Sequence, residues 1–78
     1  MYYLSIEEIQ EKLNKINNSI VLDDERRHEL RCGLWSDVSR QKEDCEVFLQ
    51  TLIDNLLWHE CDLYRLYLED LKEGLKLF

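Results

Sequence analysis

The fold is decided by residues 36–73, which read SDVSRQKEDCEVFLQTLIDNLLWHECDLYRLYLEDLKE and contain neither Pro nor Gly. Ser36 can act as an N-cap, and Asp37 then lies in the first turn, at the positive end of the helix dipole. Gly74 supplies the residue type that most often takes the left-handed position after a helix. These signals predict one helix over residues 37–73, which would be about 55 Å long.

The apolar residues of this stretch recur at helical spacing in two sets. The first set forms one broad face and consists of Val38, Cys45, Phe48, Leu49, Leu52, Ile53, Leu56 and Leu57. The second set continues in steps of three and four, through Cys61, Tyr64, Leu68, Leu71, Leu75 and Phe78. It is rotated by roughly 80° from the first. Supercoiling would absorb this offset, and a kink near residues 58–62 would explain it equally well.

A helix of this length cannot be covered by the rest of a 78-residue chain, since a compact domain of that size has a radius of gyration of only about 11–12 Å. Either the helix pairs with a second chain, or it turns near residues 58–62 and folds back. No Gly, Pro or Ser lies there to make a turn. We therefore predict an unbroken helix in a homodimer of coiled-coil type. Its seam would consist of Leu57, Cys61, Leu68, Leu71 and Leu75.

A first, shorter helix is predicted near residues 6–18. Ser5 and Glu8 form a capping box, in which each side chain reaches a free backbone amide. The apolar stripe that follows has steps of three and four. It consists of Ile6, Ile9, Leu13, Ile16 and Ile20.

A second helix is predicted over residues 24–32. Asp23 or Asp24 is its expected cap, and Gly33 is expected to end it. The whole chain, residues 1–78, then forms one all-α domain. It is a small bundle of three helices with a long, possibly kinked C-terminal helix.

The net charge of −7 limits the possible partners. Binding to nucleic acid or to an anionic membrane needs a basic face, so neither is expected. No apolar stretch approaches the roughly 18 residues of a spanning helix, and no signal peptide is visible. Three Cys without a close pairing pattern indicate reduced thiols and predict a cytoplasmic protein. The expected partner is another protein with a basic or mixed surface.

The sequence contains no arrangement typical of an enzyme. There is no phosphate-binding glycine loop, no nucleophile elbow and no His-Glu-x-x-His helix. Paired carboxylates such as Glu7-Glu8, Asp23-Asp24 and Glu69-Asp70 belong to faces that we expect to be solvated. We therefore predict a non-catalytic protein without a cofactor.

An alternative is a zinc-binding helical module with a regulatory role. His28 and Cys32 are spaced i, i+4, which suits two ligands on one helix face. Cys45, His59 and Cys61 could complete a four-ligand set. The competing interpretation is that the three cysteines are small buried hydrophobic residues, which is the usual role of free Cys.

The candidate surface for a partner is centred on Trp58. On a continuous helix this ring would lie on the polar side, near Asp54, Arg65 and Glu69, and a large aromatic among charges has the composition of a binding hot spot. The alternative is that Trp58 packs against one of the shorter helices. We predict a partner-binding set of Trp58, Tyr64, Arg65 and Tyr67.

The only basic cluster is formed by Arg26, Arg27 and Arg31. We expect it to be a solvated face whose arginines pair locally with neighbouring carboxylates. The function expected overall is a small acidic protein of inhibitor, antitoxin, immunity or adaptor type, docking a helical surface on a larger protein. A structural subunit of a helical assembly is a third possibility.

Overall fold

The computed structural model describes residues 3–78 and contains three α-helices within that range. They are α1 (Ile6–Asn18), α2 (Asp24–Asp54) and α3 (Trp58–Leu75). No strand occurs in this part of the chain. The predicted all-α class with three helices is therefore confirmed, whereas the bounds of the second and third helices differ from those expected.

α1 forms as its local sequence predicts. The backbone amide of Glu8 donates to the Ser5 hydroxyl at 3.3 Å, and that hydroxyl lies 3.5 Å from a carboxylate oxygen of Glu8. Ile9 and Leu13 are buried on the inner face of the helix. The predicted stripe is one residue too long, because α1 ends at Asn18 and the side chain of Ile20 is exposed.

α2 is much longer than expected and runs for 31 residues from the Asp23 cap. The Asp23 carboxylate accepts from the amide of Arg26 at 2.7 Å. The prediction that Gly33 ends this helix and Ser36 begins the next is wrong. A glycine inside a helix costs only about 1 kcal/mol relative to alanine. Burial of the neighbouring Leu34 and Val38 offsets that cost and keeps the helix continuous.

The chain reverses at residues 55–57, so the prediction of an unbroken helix over residues 37–73 is wrong. The amide of Leu57 donates to the carbonyl of Leu52 at 2.8 Å, and that of Leu56 to the carbonyl of Ile53 at 3.0 Å. This pair of bonds is the Schellman ending of a helix. Leu56 takes the left-handed position of that motif, with φ of 58°, where glycine is usual. The reversal lies just before the residues considered for a turn.

The three helices overlap only in the middle of an elongated molecule. α3 packs antiparallel to the second half of α2, and α1 packs against the first half. The amide of Leu4, just before α1, donates to Gln41 Oε1 near the middle of α2 at 2.9 Å. The molecule measures 50 × 19 × 17 Å and has a radius of gyration of 14.9 Å, which is larger than that of a compact domain. Its central core consists of Leu4, Ile9, Leu13, Leu34, Val38, Cys45, Leu68 and Leu71.

Gly74 has a different role from the one predicted. It lies inside α3, which ends one residue later, and no glycine in residues 3–78 has positive φ. Gly74 is buried where α3 crosses α1, and a Cβ added to it would collide with Cδ1 of Ile9. The glycine therefore allows close approach of two helices rather than a turn.

The predicted dimer seam is largely covered within the single chain. Cys61, Leu68 and Leu71 are buried by the packing of α3 on its neighbours, and Leu75 packs against the central core. Leu57 is the member of the set that stays substantially exposed. A second chain is therefore not needed to cover this strip, because α1 and α2 already cover all of it except Leu57. Among the residues described, no helix has the length and apolar character needed to cross a membrane.

The strain at Leu56 can be measured by substitution. We expect Leu56→Gly to be more stable than Leu56→Ala by about 1 kcal/mol, because only glycine removes the steric cost of the left-handed conformation. Both variants lose the same side chain beyond Cβ, so their difference isolates the backbone. Urea denaturation followed by circular dichroism gives the two free energies of unfolding. Equal values would show that the turn carries no strain.

Candidate functional site

The largest apolar residues at the end of the α2–α3 hairpin face solvent. We call Leu56, Leu57 and Trp58 the hairpin tip. Leu56 is 69% exposed and Trp58 is 55% exposed, although both are large hydrophobic residues. Only two helices meet at this end, and a pair of helices can bury only the stripes that face each other. The hairpin tip is therefore an apolar surface that the chain itself does not cover.

A row of four aromatic rings leads from the start of α1 toward the hairpin tip. The ring centroids of Tyr3 and Tyr67 are 4.3 Å apart, those of Tyr67 and Tyr64 are 5.8 Å apart, and those of Tyr64 and Phe48 are 4.6 Å apart. We call these four residues the aromatic row. Phe48, at the end nearest the hairpin tip, is exposed, whereas the three tyrosines are half-buried. Rings held in this way present rigid contact area with a polar hydroxyl edge.

The structure divides the predicted partner-binding set into two groups. Trp58 and Arg65 are seven residues apart on α3, nearly two turns, and therefore share one side of the helix. Tyr64 and Tyr67 belong to the aromatic row on another side. The alternative in which Trp58 is packed away against a neighbouring helix does not occur, because more than half of its surface is exposed.

The hairpin end of the chain also carries most of the net negative charge. Residues 43–66 contain one cationic side chain, Arg65, against six carboxylates, a net of −5 out of the −7 of the whole chain. Among the described residues, one lysine or arginine forms an ion pair with a carboxylate of this segment. It is Lys42, which lies just outside the segment and contacts Glu46 at 3.5 Å. The six carboxylates are Glu43, Asp44, Glu46, Asp54, Glu60 and Asp62.

The exposure of Leu56, Leu57 and Phe48 was not predicted from the sequence. Helical spacing placed all three on the broad apolar face of one continuous helix, and Leu57 was also assigned to the dimer seam. The reversal after Asn55 changes which residues point inward, because each helix of a hairpin buries only one stripe. Asn55 and Asp62 were the two weak signals for a break, as residues that disfavour helix interiors, and the chain reverses at the first of them.

The five residues of the alternative zinc site do not come together. Cys32 Sγ lies 3.6 Å from His28 Nε2, so this pair is adjacent as its spacing predicts. Cys45 and Cys61 are buried elsewhere, and His59 is exposed beside Glu60. Within residues 3–78 no group of three or more His, Cys, Asp or Glu is placed to hold a metal ion. The four-ligand cluster of the alternative interpretation is therefore not formed by these residues.

Cys45 and Cys61 are buried in the way that small hydrophobic residues are. Burial raises the pKa of the Cys45 thiol, and the neighbouring Asp44 carboxylate raises it further. The Cys61 thiol donates at 3.5 Å to the carbonyl of Leu57, the residue before α3. A thiol whose pKa is raised, as that of Cys45 is, is a poor nucleophile and a poor metal ligand. Cys32 is the one exposed cysteine of the described chain.

The start of the aromatic row should make stability depend on alkaline pH. Burial raises the pKa of Tyr3 to about 12, and negative charge on Tyr67, Asp70 and Cys45 adds to the effect. The unfolded phenol ionises near the ordinary value of 10.0, so between pH 10 and 12 the unfolded state has released a proton that the folded state retains. The stability contributed by neutral Tyr3 is therefore present below pH 10 and is lost as the pH rises toward 12.

We expect Tyr3→Phe to flatten this loss, because phenylalanine has no proton to release. Thermal unfolding of the wild type and of Tyr3→Phe, measured at several pH values from 9 to 12, should show a shallower fall in the variant. Parallel curves would contradict the assignment to Tyr3, since the two proteins differ only in that hydroxyl group.

Comparisons with protein-family models, with curated proteins and with solved structures find no match to this chain. Its surface chemistry is therefore the basis on which a function can be inferred.

Proposed function

We propose that this chain is a small acidic, non-catalytic protein that binds a larger protein through the hairpin end of α2 and α3. The hairpin tip supplies exposed apolar anchors, and the acidic residues around it supply a charged rim. An apolar centre with a polar rim is the usual anatomy of a protein interface. The proposal covers the inhibitor, antitoxin, immunity and adaptor types of protein.

The conformation of Leu56 is the observation that carries this proposal. Leucine in the left-handed region costs about 1–2 kcal/mol, and glycine would avoid most of that cost. The side chain is also 69% exposed, so it gains little by contacts within the chain. Backbone strain of this kind concentrates at functional sites. A binding partner that contacts the exposed Leu56 side chain would explain why leucine rather than glycine occupies the strained position.

The charge around the hairpin tip indicates the chemistry of the partner. A net of −5 over residues 43–66 favours a surface with basic groups around an apolar pocket, and disfavours nucleic acid. Such charge raises the rate of association more than it raises affinity. Trp58 is the natural central anchor, because tryptophan is among the residue types most enriched in hot spots. The three free cysteines fit a cytoplasmic location, where thiols stay reduced.

Affinity for the partner tests the proposal. A partner is first captured with the wild-type chain from the native host and identified, and its dissociation constant is then measured with purified proteins. We expect Trp58→Ala to weaken binding by about 2 kcal/mol or more, which is roughly 30-fold. Leu66→Ala is the matched control, because Leu66 is equally exposed on α3 but lies outside the hairpin tip. It should change affinity by less than about 0.5 kcal/mol.

Leu56→Gly separates binding from folding. It should raise stability and yet weaken partner binding, because it removes the strain together with the anchor. Raising the salt concentration should slow association, since the acidic rim steers a basic partner. Equal affinities for the wild type, Trp58→Ala and Leu56→Gly would reject the hairpin tip as the interface. Loss of self-association instead, seen by light scattering, would identify a second copy of the chain as its occupant.

A further inference from the structure

A second opening lies far from the hairpin tip, where α1, the first half of α2 and the C-terminal residues meet. Its volume is about 430 Å³. Arg31, in its lining, is 23 residues before the end of α2, which is about 35 Å along the helix. We call this opening the C-terminal groove. Its apolar wall consists of Leu13, Trp35, Leu77 and Phe78.

The edge of the C-terminal groove carries a cation without a partner. Arg26 pairs with Glu29 and Arg27 pairs with Asp24, each at 3.0 Å, as expected for a solvated basic face. Arg31 makes no ion pair with any described residue, and no Asp or Glu side chain lines the groove. The groove therefore combines an apolar wall with a guanidinium that has no ion-pair partner among the described residues.

We propose that the C-terminal groove binds a small amphipathic anion, an aliphatic carboxylate. Its hydrocarbon chain would lie against Leu13, Trp35 and Phe78, while its carboxylate would pair with the guanidinium of Arg31. A planar guanidinium can bind a carboxylate through two parallel hydrogen bonds, which gives both affinity and orientation. The side chains of His28 and Asn17 lie in the same lining and supply further polar groups.

The size of the groove favours a small molecule over a peptide. Pockets for small ligands enclose roughly 300–1,000 Å³ and combine apolar walls with a few polar groups. The volume of about 430 Å³ lies in the lower part of that range. This site is independent of the hairpin tip, because no residue of its lining belongs to that surface.

Decanoate is a suitable probe, used below the concentration at which it forms micelles. Trp35 lines the groove and is half exposed, so its fluorescence should change and then saturate as decanoate is added. Cys32 also lines the groove and is the one exposed thiol among the described residues. Bound decanoate should therefore slow its reaction with a thiol reagent. Trp35→Phe should lose most of the fluorescence response and keep the protection of Cys32.

The charge of the ligand is tested with matched pairs. Arg31→Gln should weaken decanoate binding about tenfold or more, the scale of a lost charge-assisted bond. Arg40→Gln should leave it unchanged, because Arg40 is exposed on the same helix, outside the groove and without an ion pair among the described residues. Decanol, which has the same chain and no charge, should bind the wild type about tenfold more weakly than decanoate.

Four outcomes would overturn the proposal. Equal binding of decanoate and decanol, or equal binding by the wild type and Arg31→Gln, would reject recognition of a carboxylate. A response that rises without saturation would show non-specific partitioning onto an apolar surface. Saturable binding of an acidic amphipathic peptide, with none of decanoate, would show that the groove accepts a peptide instead.

Discussion

Replacing Leu71 by alanine should lower the free energy of unfolding by about 2–5 kcal/mol, the range for deleting a buried leucine side chain. Leu71 is 0% exposed and belongs to the central core, to which all three helices contribute. The substitution removes contacts to α1 and α2 together and leaves a cavity that helices joined by short turns can close only in part. Stabilities of small domains are about 5–15 kcal/mol, so the loss is a large share of the total.

The measurement is chemical denaturation followed by far-ultraviolet circular dichroism. Leu66→Ala is the control on the same helix, and because Leu66 is 61% exposed it should change stability by less than about 0.5 kcal/mol. Repeating the experiment at widely separated protein concentrations tests the predicted dimer seam. If the chain folds as a monomer, the denaturation midpoint of the wild type does not depend on concentration. A midpoint that falls on dilution would show that folding is coupled to association, as the predicted dimer seam requires.

The two glycines should respond to alanine with opposite signs. Gly74→Ala should destabilise the protein by about 1–3 kcal/mol, because the new methyl group overpacks the contact between α3 and α1. Gly33→Ala should stabilise it by about 1 kcal/mol, since alanine is the better helix former and its Cβ would meet nothing within 4 Å. The same denaturation assay measures both. Equal effects of the two substitutions would contradict the close approach at Gly74.

A double mutant identifies the atom responsible. The Cβ added at Gly74 collides with Cδ1 of Ile9, and Ile9→Val removes that atom. We therefore expect Gly74→Ala to cost less in the Ile9→Val background than in the wild type, because residues in contact are not additive. Strictly additive losses would show that the methyl group is accommodated in some other way.

Of the residues at the two candidate sites, Trp58 could be predicted from the sequence, whereas Leu56 and the C-terminal groove could not. Helical spacing placed Trp58 on the polar side of a continuous helix, and its side chain is indeed 55% exposed, although the helix is not continuous. The role of Leu56 could not be read from the sequence, because leucine is a common helix residue and rarely takes positive φ. The C-terminal groove was likewise hidden, because Leu13, Arg31 and Phe78 come from three distant parts of the chain.

Features that depend on neighbours within about four residues could be predicted from the sequence. The Ser5 cap and the all-α class were predicted and are formed, and of the two caps considered for the second helix, Asp23 and Asp24, the structure has Asp23. These features follow from hydrogen bonds and apolar spacing inside a single turn or stripe. The same local rules failed where two outcomes differ little in local energy, as at Gly33, which is compatible with a helix end or with a helix interior.

Tertiary structure decided where the long apolar stretch turns and what covers it. Folding α3 back on α2 buries Leu52, Cys61 and Leu68 within one chain. At about 25 cal/mol per Å² of apolar surface, this burial outweighs the roughly 1–2 kcal/mol of strain at Leu56. The same packing brings Gly74 against Ile9, 65 positions away in the sequence. Local spacing carries no information about such contacts, because they depend on which surfaces meet after the chain has reversed.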